Sequence, residues 1–417
     1  MIKVGYTLFI SLYPSVAKVA ALFNNKAKLW VEGRRDLFSF LQQKLVNNTA
    51  SIIWFHCASL GEFEQGKPVL EGLKKTYPKH KILVTFFSPS GYEIRKNYNG
   101  ADIICYLPID SLTHAKRFVG IVKPALVVFV KYEFWYYYLT EIRHHRIPLL
   151  LISALFRKKQ PFFAWYGNFH RKMLNCFTHI FVQNNESLRL LQSVRINNAT
   201  ISGDTRFDRV LETKNNYQPL PSVENFCGDK QVLVAGSTWT EDDEELDHFV
   251  THHPNLRFII APHDISEERL KECEKLYKQT IRYSQLEKAL PKEDINTLII
   301  DNIGMLSRIY QYAHITYVGG AFGGGGIHNI LEAAVFAKPV LFGPEHDNFP
   351  ETDALIEAGG AFSVENALEL ETILIKLLTD SSFYKNTCKS SGNFVQMNAG
   401  ATSQVLDYIQ EKRLLTN

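Results

Sequence analysis

The chain has little of what marks several common protein classes. Its six cysteines, Cys57, Cys105, Cys176, Cys227, Cys273 and Cys388, form no CxxC pair or other zinc-ligand spacing. Neither a zinc site nor a disulfide framework is therefore expected. Several of them sit in apolar runs (HCASL, IICYL), as reduced core cysteines do, which points to a reducing cytoplasm. A formal net charge of +3 over 417 residues is too weak a bias for a nucleic-acid binder. No low-complexity tract and no internal repeat interrupts the chain.

What remains is ordinary globular sequence, 46% hydrophobic and 21% charged. Its length suits two domains of about 180–200 residues each. The amino terminus stands apart. Residues 4–23 (VGYTLFISLYPSVAKVAALF) are mostly apolar, interrupted by Pro14 and Lys18 and followed by Lys26, Lys28, Arg34 and Arg35. No small-residue cleavage site follows, so a secretory signal fits poorly. Two readings stand for this stretch. It is either a marginal or half-inserted membrane anchor whose basic flank meets anionic lipid on the cytoplasmic side, or a helix packed on the protein itself.

From residue 51 short β-branched runs alternate with amphipathic, helix-length segments, the signature of a parallel sheet covered on both faces. Strands are expected at 52–57, 81–87, 102–106, 125–130, 148–152 and 178–183, and again at 231–235, 257–261, 297–301, 314–318 and 339–342. The expected organisation is an anchor segment at 1–24, an α/β domain at 25–205, a polar linker at 206–230, a second α/β domain at 231–395, and a terminal helix at 396–417 able to pack back on the first domain. Two doubly wound, Rossmann-like halves of this kind place a ligand cleft at the carboxyl ends of their sheets.

Residues 58–68 (ASLGEFEQGKP) follow the first strand and open a helix. Gly61 to Lys67 matches GxxxxGK, but Pro68 occupies the position of the Mg²⁺-binding hydroxyl, and Glu62 and Glu64 would face triphosphate oxygens. A P-loop is therefore rejected. Glu62 is either a general base at the strand–helix junction or an acid complementing the positive end of the helix. Glu133, in 131–135 (KYEFW), stands at a second strand end with the same two readings. Gly236, Ser237 and Thr238 precede the acidic run 241–245 and offer either a phosphate cradle or a helix N-cap.

The strongest local signal is 318–332 (VGGAFGGGGIHNILE), where six glycines follow a strand and lead into a helix begun by His328 and Asn329. No GxGxxG register fits, which argues against a dehydrogenase-type dinucleotide site. Glu332, one turn into that helix, could accept both hydroxyls of a ribose. Loops at 301–304 (DNIG) and 343–348 (GPEHDN) end neighbouring strands, so several loops converge on a nucleotide-sized pocket. His263 and Asp264 after Pro262 lack a third ligand nearby and make a weak metal site. The other histidines, such as His144–His145 and His252–His253, read as solvated surface. The cluster 161–169 (PFFAWYGNF), flanked by Arg157, Lys158, Lys159, Arg171 and Lys172, suits a membrane interface, an acyl-chain groove or a buried helix.

Taken in order, the amino-terminal segment, GRR at 33–35, ASLGEFEQGKP, KYEFW, SGDTRFD at 202–208, GST at 236–238, DNIG, the glycine-rich stretch and FGP at 342–344 resemble the bacterial Kdo (3-deoxy-D-manno-octulosonic acid) transferases of lipopolysaccharide synthesis. The resemblance implies a glycosyltransferase-B fold, CMP-Kdo as donor, a lipid A precursor (lipid IVA) as acceptor, and work at the cytoplasmic face of the inner membrane without metal or other cofactor. It implies Glu62 as catalytic base, with Ser59, Gly61 and Glu133 on the acceptor side. On the donor side it implies Gly236, Ser237, Thr238, Pro262, His263, Ile303, Gly304, Met305, Gly323, Gly324, Asn329 and Glu332. Three departures stand out. Pro262-His263-Asp264 replaces the family's Pro-Arg-His, Leu331-Glu332-Ala333 its Leu-Glu-Pro, and Ser153-Ala154-Leu155 its Asn-Ala-Arg. The alternatives are another glycosyltransferase-B enzyme using a UDP-sugar, and a non-catalytic nucleotide- or lipid-binding module.

Overall fold

The computed structural model describes residues 2–286, 294–323, 326–347 and 349–416. Two compact units divide the chain: Met1–Arg209 with Ala399–Asn417, and Val210–Asn398. In the first, strands β1 (Ile52–Cys57), β2 (Lys81–Phe86), β3 (Ile103–Tyr106), β4 (Pro124–Val130), β5 (Leu149–Ala154), β6 (His179–Val182) and β7 (Ala199–Ile201) form one sheet in the order β3-β2-β1-β4-β5-β6-β7. Every pairing is parallel. Alternate residues feed two separate cores. Trp54, Val127 and Phe129 join the core on one face, and Ile53, Phe55, Val128 and Val130 join the core on the other. This double burial is why these strands read as unbroken apolar runs.

The second unit repeats the plan with β8 (Val232–Thr238), β9 (Arg257–Pro262), β10 (Thr280–Arg282), β11 (Thr297–Ile299), β12 (Ile315–Val318), β13 (Val340–Phe342) and β14 (Ala361–Ser363), ordered β10-β11-β9-β8-β12-β13-β14. In each sheet the winding direction reverses once, between β1 and β4 and between β8 and β12. Ligand sites of open α/β sheets form at such reversals, outside the carboxyl ends of the strands.

Three strands escaped the sequence pattern: β7, β10 and β14. Each has three residues and lies at a sheet edge, where few side chains are buried, so no apolar run announces it. Residues 206–230, expected as linker, carry two helices, Thr205–Asn215 and Pro221–Cys227. Phe207, Val210, Val223 and Phe226 are buried along them at helical spacing, hidden in the sequence among polar neighbours.

Helices α1 (Ile2–Ala20), α2 (Asn25–Glu32) and α3 (Leu37–Leu45) precede the first sheet. One face of α1 docks on its own unit. Ile10 is buried, Tyr6 and Tyr13 pack beside Trp30, Phe87 and Trp135, and the Tyr6 hydroxyl donates to Asp110. The opposite face carries Val4, Leu8, Leu12, Val16 and Val19, and the chain beyond adds Leu22 and Phe23, all exposed. Among the described residues no helix is long and apolar enough to cross a membrane. Arg34 corrects the expected basic flank. Its guanidinium turns inward over the Trp30, Phe87 and Tyr106 rings and donates to the carbonyl oxygens of Leu107, Trp30 and Phe87.

The closing helix, Ala401–Glu411, belongs to the first unit, where Val405 and Ile409 complete the second of its cores. Asp208 tethers its start. One carboxylate oxygen accepts the Gly400 N–H and the other the Thr402 N–H, both at 2.6 Å. Asp208→Ala removes this cap and is expected to destabilise the protein by about 1–2 kcal/mol, read as a lowered Tm or denaturant midpoint.

Candidate functional site

At the reversal point of the first sheet, β1 runs into the turn Ala58–Ser59 and then into helix α4 (Leu60–Thr76). Ser59 is the N-cap. Its backbone N–H donates to Glu62 Oε2 at 2.8 Å, and its hydroxyl reaches the same oxygen at 3.2 Å. The capping role expected as an alternative for Glu62 is therefore real, and it holds the carboxylate above the strand end. Gly66, whose spacing mimics a P-loop, serves packing instead: a Cβ there would stand 2.8 Å from Val130 Cγ2. That close approach seats α4 on β4. Gly61 is exposed, with open space where a Cβ would be.

The neighbouring strand supplies the second carboxylate. β4 ends at Val130, and Lys131 takes a left-handed φ of 65°, which turns the chain sharply into Glu133. Glu133 is buried. Its Oε2 lies 3.0 Å from His56 Nε2 and accepts the Trp135 indole N–H at 2.5 Å. His56, fully buried on β1, has its Nδ1 2.9 Å from Thr85 Oγ1, so both ring nitrogens are engaged. Burial first, and then the Glu133 charge, holds the Glu62 carboxyl above the usual range. The Ser59 N–H, the nearby His56 and the Ser59 hydroxyl oppose this with smaller effects. Such a carboxylate is a more basic proton acceptor than an exposed one.

The second unit concentrates its candidates at the β8–β12 reversal. Gly319 admits no side chain, since a Cβ would meet Ser237 O at 2.6 Å and Thr238 Cα at 2.7 Å. Gly320, at φ 99°, donates its N–H to buried Asp242, which also accepts the Trp239 N–H and the Tyr317 hydroxyl. Asp242 thereby locks the two strand ends together. The N-cap of helix Thr240–His252 falls on Trp239, so neither Ser237 nor Thr238 occupies the cap position. Ser237 has φ 55°, a second strained residue at a strand end.

Beside it lies a pocket of ≈ 190 Å³ whose lining includes Ser237, Pro262, His263, Ile303 and Gly304. His263 stacks between Trp239 and His328, with ring centroids 4.6 and 4.5 Å away. Burial, with His263 alongside, pushes the His328 imidazole down to about 4. Met305 is buried, whereas Ile303 is 88% exposed at the pocket rim.

The glycine-rich stretch continues through Gly323, whose Cβ would approach the Glu241 carboxylate at 3.0 Å; Gly324 lies outside the described residues. The helix that follows starts at Leu331 rather than at His328, because the Asn329 side chain accepts the Leu331 N–H and acts as its local cap. Asn329 also donates to Glu332, so that pair is held together at 3.2 Å. Buried Tyr310 links this pair to β8: its side chain senses the Glu332 charge, and its hydroxyl fills the space beside Gly236.

Among the described residues, those expected on the acceptor side thus gather at one strand reversal, and those on the donor side at the other. His56, Trp135, Trp239 and Asp242 were not singled out from sequence. His56 corrects the expectation of surface histidines. Its usable signal was position, at the inward-facing end of an otherwise apolar strand. Among the described residues no group of three or more His, Cys, Asp or Glu side chains could hold a metal ion, and all six cysteines are free.

Two all-parallel α/β units, each with polar residues collected at its strand reversal, have the glycosyltransferase-B type of fold. A solved UDP-GlcNAc 2-epimerase from Neisseria meningitidis shares this fold at TM-score 0.64 and 16% identity, over 86% of this chain and 100% of that one. A glycosyltransferase from Rickettsia africae does so at TM-score 0.59 and 14% identity, over 89% and 100%. A family model described as 3-deoxy-D-manno-octulosonic-acid transferase (kdotransferase) matches residues 33–209. The 3-deoxy-D-manno-octulosonic acid transferase of Rickettsia felis is 28% identical over 376 residues, 86% of this chain and 79% of that protein. By the family model over residues 33–209, and by several relatives over four-fifths or more of its length, the chain is similar to the 3-deoxy-D-manno-octulosonic acid transferases.

With Glu62 as the base, which works only when ionised, activity is expected to fall as pH drops through its raised pKa. Glu133→Gln removes the negative neighbour while keeping an oxygen for Trp135. It is expected to shift the acidic limb of the kcat/KM profile to lower pH, measured across pH with the donor saturating.

Proposed function

We infer that the enzyme transfers Kdo from CMP-Kdo to a lipid A precursor, lipid IVA, in lipopolysaccharide synthesis. A glucosamine hydroxyl of the acceptor attacks the anomeric carbon of Kdo as the bond from that carbon to the phosphate oxygen of CMP breaks. Glu62 takes the hydroxyl proton, and CMP leaves with the bonding electron pair. Ser59 and Glu133 hold and tune the base. The observation that carries this reading is a half-buried carboxylate of raised basicity at the first sheet's reversal point, in a chain whose named relatives are Kdo transferases. Backbone amides around Gly236–Thr238 and the glycine-rich stretch are suited to the departing phosphate, and the Asn329–Glu332 pair to the ribose. The described residues lining the ≈ 190 Å³ pocket include no Lys or Arg, and the His263 imidazole is the ring offered to the donor there.

Helix α1, docked by one face and apolar on the other, suits a peripheral position on the cytoplasmic face of the inner membrane. No metal enters the proposed displacement.

Incubating the protein with CMP-Kdo and lipid IVA, followed by mass spectrometry of the lipid, tests the transfer directly. Glu62→Gln is expected to lower kcat by roughly 10²–10⁴-fold while CMP still raises the Tm. Stronger stabilisation by UDP than by CMP would instead favour a UDP-sugar donor.

A further inference from the structure

Residues 157–172 form a braced tip on the first unit. Phe162 and Phe169 are buried as its two legs. Phe162 packs against Phe134 at 4.7 Å and Phe169 against Tyr136 at 4.8 Å. Arg171 donates to the carbonyl oxygens of Phe162 and Ala164, both at 3.0 Å, and so fixes the backbone between the legs. Gly167 makes the return possible, since a Cβ there would stand 2.3 Å from Pro161 O. What this scaffold holds outward is apolar. Trp165 is 91% exposed, and Tyr166 beside it is exposed as well, the two rings edge-to-face at 5.6 Å.

The segment itself carries one sign of charge. Between Glu141 and Glu186 the sequence has no acidic residue, and Lys158, Lys159 and Lys172 are exposed around the tip. The amino-terminal helix has the same character, with no acid before Glu32. The two are neighbours: Phe169 lies 5.7 Å from Tyr6 of α1, and Lys3 reaches over the Tyr136 ring.

We propose that Trp165 and Tyr166, with Lys158, Lys159 and Lys172 around them, form a second membrane foot beside α1 that inserts at the surface of an anionic bilayer. Aromatic rings with a polar edge settle at the lipid headgroup level, and cations beside them are drawn to anionic headgroups. A rigid foot next to an apolar helix face would fix the rotation of the unit about α1, which a single helix cannot do. This inference rests on the peripheral membrane position proposed above, but not on the identity of either substrate.

The test uses the full chain, without donor or acceptor, and phosphatidylcholine vesicles with and without phosphatidylglycerol. The double substitution Trp165→Ser with Tyr166→Ser is expected to weaken co-sedimentation with phosphatidylglycerol-containing vesicles by roughly tenfold or more, with an unchanged melting temperature. These vesicles should also blue-shift the wild-type tryptophan emission, and Trp165→Phe should abolish most of that shift. Wild-type vesicle affinity in the double variant, or an undiminished shift in Trp165→Phe, overturns the proposal. So does a change in the protein's own sedimentation without lipid, which would make the tip a protein contact. Loss of transfer activity with intact vesicle binding would instead count against the enzymatic reading alone.

Discussion

The Ser59 backbone N–H bonded to Glu62 Oε2 is a constraint on which much of the first unit's chemistry rests. A carboxylate at the third position of a helix is normally a stability device, satisfying an orphan amide and the positive end of the macrodipole. Here the same bond fixes a half-buried carboxylate at the point where the strand order reverses. Both bonds from Ser59 go to one oxygen, so the other is not part of the cap. One oxygen serves the cap, and the other is left for the base role proposed for Glu62.

The second unit solves a similar problem without a reactive side chain. Asp242 is buried and gathers three donors, from Trp239, Gly320 and Tyr317, so the ends of β8 and β12 cannot drift apart. The absence of a Cβ at Gly319 then lets the backbones approach to contact distance. The result is a rigid floor of peptide groups, which is what a phosphate site needs if its amides are to be aimed before the ligand arrives. The Trp239–His263–His328 stack forms a wall of flat rings beside it.

Much of this was legible in the sequence, and the exceptions have physical reasons. Strands buried on both faces, such as β1 and β4, announce themselves as apolar runs; β7, β10 and β14 do not, because edge positions bury little. The alternation of strand and helix correctly implied two doubly wound sheets, and with them which loops share a strand end. Side-chain direction was harder. Arg34 reads as part of a basic surface flank, yet three carbonyls and three aromatic faces take it inward. His56 is indistinguishable by type from surface histidines until the strand's inward face is known. The P-loop-like spacing of Gly61 and Gly66, already rejected on Pro68 and the two glutamates, has its reason at Gly66 in the close packing of α4 on β4.

The return of the last helix to the first unit has a consequence for synthesis on the ribosome. Val405 and Ile409 finish a core begun by Ile53 and Phe55, so the unit that emerges first lacks part of its interior until residues 401–411 are translated. The unit emerging later has its whole sequence available earlier in relative terms. A stop between residues 399 and 405 would therefore leave the unit of residues 210–398 whole and open a hydrophobic face on the other.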